Sequence, residues 1–194
     1  MLKVVSNDKV YGLEDSVKAS KYPMAVDIDK CTSEITETTL KLSGCPTGAG
    51  HDNFLKGIIV QFDLTFSIKA WVEAERYHFL EFVSSQSTMH RIARFDPEVQ
   101  CNEYVHFGTI SIVKGLIECY NADPTPDNYL RLLYNIPVGF RLTARMSTNY
   151  QQLKTIYQQR RTHRLPEWRA FCKWIEELPH SEFIVGGGDT NDRS

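Results

Sequence analysis

The sequence predicts an α+β domain with a mixed sheet flanked by helices. Three observations lead there. Strand-like apolar runs and amphipathic helical stripes follow one another along the chain, as mixed-class domains require. Of 194 residues, 42% are apolar and 11% aromatic, enough to bury a sizeable core. Only the last stretch, Gly186-Gly187-Gly188-Asp189-Thr190-Asn191-Asp192-Arg193-Ser194, reads as loose polar chain, which leaves residues 1–185 as one domain and 186–194 as a flexible tail.

The elements are justified in order. Thr32 to Leu42 mixes Thr, Ile and Leu with polar residues, and its second half suggests a half-buried strand. Gly44 to Gly50 is dense in turn formers and closes that strand; Gly48 and Gly50 read as turn glycines rather than a phosphate cradle. Asp52 can cap a short helical turn over Asn53 to Lys56. Ile58 to Phe66 is a β-rich run. Ser67 starts a helix with Ile68, Trp71, Val72 and Glu75 at the spacing of one face. Phe79 to Val83 fits either an extension of that helix or a strand.

Further on, Ile110 to Tyr120 carries apolar residues at helical spacing, and a second helix starts near Pro126, which suits a first helical turn. Pro137 ends it. Val138 to Thr148 alternates as a strand, and Asn149 begins a helix with Leu153, Ile156, Tyr157 and Arg160 on one face. Pro166 opens a last amphipathic helix through Trp168, Phe171, Cys172 and Ile175.

Charge and cysteine usage exclude several classes. The 22 Lys and Arg stand against 24 Asp and Glu, a formal net charge of -2, which gives no global attraction to nucleic acid or to an anionic membrane. No apolar run approaches the ~20 residues of a membrane helix, and the start lacks the apolar core of a secretory signal. The five cysteines are widely spaced without a Cys-x-x-Cys pair, so they read as reduced thiols, and no metal site is expected. These observations together point to a soluble cytoplasmic protein.

The familiar nucleotide-binding and nucleophile motifs are missing: no Gly-x-Gly-x-x-Gly after a strand, no Walker loop, no Gly-x-Ser-x-Gly. What remains is a set of Arg, His and Ser residues at the ends of apolar elements. Arg160 is the most informative. A guanidinium at the end of an apolar stripe must reach water, a carboxylate or an anionic ligand, because burying it unpaired is too costly. It can snorkel or pair with Glu167, or it can meet a ligand. The surrounding run Gln158 to Arg164 also fits a basic helix end or a nucleic-acid patch.

The order of these landmarks resembles the flavin-dependent thymidylate synthase family. Asn149-x-x-x-Leu153, Arg160 and Glu167-Trp168-Arg169 resemble its C-terminal signature; Pro126, Arg131 and Pro137 resemble the approach to the preceding strand. Gly50-His51-Asp-Asn-Phe-Leu-Lys56 is similar to the family's Gly-His-x-Ser-x-x-Glu, and the distance from His51 to Arg76 matches that to its Arg-His-Arg motif. Ser84-Ser85-Gln86-Ser87 is similar to the string ending in its Ser-x-Arg-Tyr. There are departures. Arg-His-Arg reads Arg76-Tyr77-His78, the Glu of the Gly-His block is Lys56, Ser85 stands where an acid or amide is usual, and Asn-x-Arg reads Asn149-Tyr150-Gln151. In the Ser-x-Arg-Tyr string Met89 replaces the Arg, and the nearest guanidinium is Arg91.

The resemblance implies a fold, a reaction and roles. It implies a homotetramer that binds FAD across subunits and methylates deoxyuridylate at C5, with NADPH and methylenetetrahydrofolate as cosubstrates. Arg160 would be the catalytic cation on the pyrimidine edge, stabilising charge that develops on the ring. Ser87, Arg91 and Arg131 would bind the nucleotide beside it, Arg131 as a phosphate fork from a neighbouring subunit. His51, Asn53, Arg76, His78 and Asn149 would face the flavin. Two other readings stand beside this one: a relative that binds a pyrimidine nucleotide but carries out a different C5 modification, and a non-catalytic nucleotide- or nucleic-acid-binding module.

Overall fold

The computed structural model describes residues 2–186, so the tail expected over 187–194 lies outside the described residues. In chain order the strands are β1 (Val5–Tyr11), β2 (Ile59–Ser67), β3 (Glu81–Ser85) and β4 (Arg141–Asn149). The helices are α1 (Leu13–Ala19), α2 (Glu37–Gly44), α3 (Ile68–Ala74), α4 (Thr88–Arg91), α5 (Pro97–Gln100), α6 (Phe107–Ala122), α7 (Pro126–Tyr134), α8 (Tyr150–Arg160), α9 (Pro166–Glu176) and α10 (Glu182–Val185). The strands form one four-stranded antiparallel sheet in the order β1-β2-β4-β3, with helices flanking it. This is the α+β architecture the sequence predicts. No helix among the described residues is long and apolar enough to cross a membrane.

The chain clusters into two compact units. Unit 1 comprises Met1–Asp63, Tyr77–Phe82 and Met146–Ser194; unit 2 comprises Leu64–Arg76 and Val83–Arg145.

Unit 1 has an aromatic core. Val60 and Phe62 of β2, Met146 of β4, Leu153 and Ile156 of α8, and Trp168, Phe171 and Ile175 of α9 are all solvent-inaccessible. In α9 the buried positions Trp168, Phe171, Cys172 and Ile175 keep the i, i+3, i+4, i+7 spacing of one helical face, and Pro166 occupies the first turn, where its missing N–H costs nothing. The Phe62 ring lies 5.6 Å from Phe171 and 4.6 Å from Trp174. Each fully buried side chain of this size contributes roughly 1.5–3 kcal/mol of apolar burial. The turn into α1 depends on Gly12, whose φ of +70° is left-handed and whose hydrogen faces the Gly57 carbonyl; a Cβ there would stand 2.6 Å from that oxygen.

The strand expected in the second half of Thr32–Leu42 is instead α2. Thr36 and Thr39 form a reciprocal capping box, each hydroxyl accepting the other's backbone N–H. Two orphan N–H groups are thereby satisfied at once, which outweighs the β-branched content that suggested a strand. Its buried residues Thr39 and Ser43 follow a helical period of four rather than a strand period of two. β1 and α1 lie in the N-terminal stretch, where the sequence pattern indicated no element.

Unit 2 has its own core of Ile92, Cys101, Val113, Leu132 and Phe140, with Ile110, Leu116, Ile117 and Tyr129 packed against it. Thr125 caps α7 by accepting the Asn128 N–H, and Pro126 fills its first turn. Ser67 caps α3 as expected, accepting the Ala70 N–H at 3.3 Å. The buried face of α3 is Ala70 and Ala74, however, while Val72 is exposed. Trp71 turns its indole N–H to the Leu142 carbonyl at 3.1 Å and packs its ring 5.3 Å from Phe66, while Val72, which apolar counting had placed on the same face, is not buried. Of the ambiguous Phe79–Val83 run, residues 81–83 fall in β3, whose five residues are all exposed, while Phe79 and the buried Leu80 lie in the turn before it.

Candidate functional site in unit 1

Helix α8 organises the site. Asn149 ends β4 in extended geometry, and its Oδ1 accepts the Gln152 N–H at 2.9 Å, capping the helix. One turn in, Gln151 and Lys154 stand three residues apart on one face. Both reach Asp52, which is wholly buried. The Gln151 Nε2 donates to Asp52 Oδ1 at 2.9 Å, and the Lys154 Nζ lies 3.1 Å from Asp52 Oδ2. Lys154 also donates to the Ser43 and Cys45 carbonyls. An ammonium has three N–H donors and no acceptor, so three acceptors saturate it. Asp52 sits at the cap position of the turn Asn53–Gly57, but its side chain makes no cap bond; the carboxylate is spent on Lys154 and Gln151 instead.

At the other end of α8, Arg160 is 5% exposed. Its Nε donates to the Tyr77 hydroxyl at 2.7 Å, and that hydroxyl donates to the Gln159 Oε1 at 2.9 Å. The guanidinium carbon lies 4.9 Å from the Trp168 ring centre and 5.5 Å from that of Tyr77, inside the cation–π range. Apolar counting placed Arg160 on the buried face correctly. Among its partners are two aromatic rings and a phenol hydroxyl, which help accommodate the charge.

Beside the Asp52 segment unit 1 has an open pocket of about 860 Å³. Pro23, Met24, Leu42 and Phe54 give it apolar walls; Ser20, Thr36, Thr38 and Thr39 supply hydroxyls, and Lys21, His51 and Asn53 are its other polar lining. Lys21 donates to the Thr32 hydroxyl at 3.0 Å. Gly50, with φ of +83°, turns the chain into this wall, in keeping with the turn reading of Gly48 to Gly50. A pocket of this size, mostly apolar with a few convergent polar groups, is the usual form of a small-molecule or cofactor site. Among the described residues no acidic side chain lines it, and Lys56, at the position where the resemblance expects a Glu, is exposed.

The candidate residues divide between the units. Unit 1 holds His51, Asn53, His78, Asn149 and Arg160, and of these His51 and Asn53 share the cavity wall. His78 is exposed, one residue beyond Tyr77. Unit 2 holds Arg76, Ser87, Arg91 and Arg131. Arg76 is exposed after α3, Ser87 is half-buried at the start of α4 and makes no cap bond, and Arg91 is exposed at the end of that helix. Arg131 is exposed and pairs with Asp127 one turn back at 2.8 Å. Sequence reasoning missed Lys154, the role of Asp52, and the Tyr77–Trp168 seat of Arg160. The one available signal was Lys154 itself, a charge between Leu153 and Ile156 on an otherwise apolar face.

Titration is perturbed away from the cavity. Burial raises the Cys172 thiol to about 12, with Glu176 adding to the effect. Burial likewise raises Cys101, partly offset by the Arg141 charge, and the Tyr150 phenol, whose hydroxyl donates to the Pro179 carbonyl. The five cysteines are all free. Among the described residues, no group of three or more His, Cys, Asp or Glu is placed to hold a metal ion.

No protein-family model matches the chain. No curated protein matches it either. Solved structures do. A crystal structure of the flavin-dependent thymidylate synthase ThyX from Helicobacter pylori, complexed with FAD and dUMP, superposes with a TM-score of 0.76 at 14% identity, covering 97% of this chain and 100% of that one. A second structure of ThyX from the same organism with FAD and dUMP, at 2.31 Å resolution, gives a TM-score of 0.74 at 13% identity with the same coverage. The chain has the fold of the flavin-dependent thymidylate synthases, as its sequence resemblance implies.

Proposed function

We propose that this protein is a flavin-dependent thymidylate synthase-like enzyme: a cytoplasmic homotetramer that binds FAD and methylates deoxyuridylate reductively at C5, with methylenetetrahydrofolate as carbon donor and NADPH as reductant. The observation that carries the reading is the near-complete superposition on two structures that hold FAD and dUMP. The cavity supports it. Its volume of about 860 Å³ and apolar walls suit a planar tricyclic ring, and two residues expected on the flavin side, His51 and Asn53, line it. A bound flavin supplies the redox chemistry; the chain supplies binding, orientation and charge stabilisation.

In that reading Arg160 is the catalytic cation. The Tyr77 bond and the two ring faces fix the plane of its guanidinium before substrate arrives, which is the preorganisation that electrostatic stabilisation needs. Ser87 and Arg91 hydrogen-bond the nucleotide, and Arg131 of a neighbouring copy grips its 5′-phosphate, exchanging the exposed Asp127 pair for a phosphate fork. Arg76, His78 and Asn149 complete the flavin side. The many exposed large apolar residues of unit 2, among them Tyr104, Phe107 and Ile112, suit burial between copies.

The test is direct. Purified protein should be yellow, should sediment as a tetramer, and should convert dUMP to dTMP with the two cosubstrates. One observation favours the alternative of a different C5 modification: Gln151, where the resemblance expects an Arg toward the flavin, is turned to Asp52. Yellow or colourless protein that binds dUMP but forms no dTMP would select that alternative.

A further inference from the structure

We propose that the buried Lys154–Asp52 pair is a positioning device for the cavity wall. It holds the segment bearing Gly50, His51 and Asn53 in register with α8, the helix that Asn149 caps and that ends at Arg160. For its ligand the inference rests on the flavin reading of the same cavity.

The argument starts from cost. Lys154 is 1% exposed and Asp52 not at all, and two charges taken that far out of water seldom add to stability over well-packed apolar residues. Such a pair is better explained by what it specifies than by what it stabilises. Here it specifies one geometry. The three ammonium donors are divided among the Ser43 carbonyl at the end of α2, the Cys45 carbonyl of the following turn, and the Asp52 carboxylate. The second carboxylate oxygen is taken by Gln151, one turn earlier on α8. Both ends of the turn-rich stretch from Ser43 to Asp52 are therefore tied to a single helix. The residues between and just beyond these ties include Gly50, His51 and Asn53 of the cavity lining. A loop rich in glycine has many conformations of similar energy, and a ligand that had to order it would bind more weakly by that ordering cost. The pair removes the cost in advance.

The experiment compares wild type, the Asp52→Asn/Lys154→Met double variant, and Gln151→Leu, which cuts only one tie. Two readouts are taken: FAD affinity by fluorescence quenching, and amide hydrogen exchange over residues 44–53 and over α9 in ligand-free protein. Exchange over 44–53 should rise at least tenfold in the double variant and severalfold in Gln151→Leu while α9 stays protected, and FAD affinity should fall about tenfold in the double variant. Exchange over 44–53 that is unchanged, or that rises equally in α9, would overturn the proposal, since a merely structural pair loosens everything it supports. If the double variant does not fold, Gln151→Leu decides by the same criterion. If wild type binds no FAD, the flavin reading fails and the exchange measurement alone decides the positioning role.

Discussion

The Tyr77 hydroxyl accepts a 2.7 Å hydrogen bond from Arg160 Nε while its ring forms one of the two aromatic faces around the guanidinium. One side chain thus provides both polar and π stabilisation for a cation that is 5% exposed. A hydrogen bond to a charged, desolvated group is worth roughly 1.5–3 kcal/mol. Tyr77→Phe keeps the ring and removes only the hydroxyl, so it should lower stability by about 2 kcal/mol and the melting temperature by about 4–8 °C. Arg160→Lys keeps the charge but loses the planar group between the rings, and should cost at least as much. That exceeds what an exposed helix-end charge would lose. If Arg160 also serves dUMP, both variants should weaken dUMP binding measured by calorimetry at a temperature where they remain folded.

Asn149 is the hinge between β4 and α8, and its side-chain oxygen satisfies the Gln152 N–H. Asn149→Ala should cost about 1 kcal/mol, the usual loss of a cap, while Asn149→Ser should recover most of it. Urea unfolding of the three proteins checks this ordering.

Cys172 and Tyr150 give the protein an alkaline weakness. Both are acids whose protonated form is favoured by burial, so the folded pKa lies above the unfolded one and the folded state holds more protons in between. Stability contributed by the neutral thiol is complete below pH 9, the ordinary value, and is lost as pH rises toward about 12. The melting temperature should therefore fall between pH 8.5 and 11, and Cys172→Ala should show a shallower fall. The buried thiol should also react slowly with thiol reagents at neutral pH, where almost none is thiolate.

Gly12→Ala should be among the most damaging single-methyl changes in unit 1. It forces a side chain into left-handed backbone and drives a Cβ within 2.6 Å of the Gly57 oxygen. Strain of this kind costs of order 1–3 kcal/mol before the clash is counted. Thermal melts of Gly12→Ala beside an alanine at the open Gly44 position would separate the local geometry from a general loss of chain freedom.

The legible parts of this sequence were those governed by one dominant local signal. Trp168, Phe171, Cys172 and Ile175 drew the buried face of α9, and Val60, Phe62, Leu64 and Phe66 alternate inward along β2. Asn149 marked the start of α8 because a cap is read within a few residues. α2 was misread because hydroxyls capping each other, not apolar periodicity, hold it. In the candidate site, His51 and Asn53 were placed by resemblance alone. The Asp52–Lys154 pair joins positions 102 residues apart, and no local pattern announces a partner at that distance. Likewise the seat of Arg160 needs Tyr77, which the sequence offered only as a departure from an expected histidine.

The sheet order places β3 at an edge, and β3 carries exposed Phe82 and Val83 with no proline or lysine to blunt it. Before its surroundings are complete, a freshly synthesised chain presents that edge as a row of open hydrogen-bonding groups ready to pair with any other extended segment. Yield in a living cell is then a contest between a first-order event, the pairing of β3 with β4 of its own chain, and a second-order one, its encounter with a wrong strand. Only the second speeds up with concentration, so slower synthesis should favour the correct pairing. A charge at the exposed position 83 acts on the wrong encounter selectively.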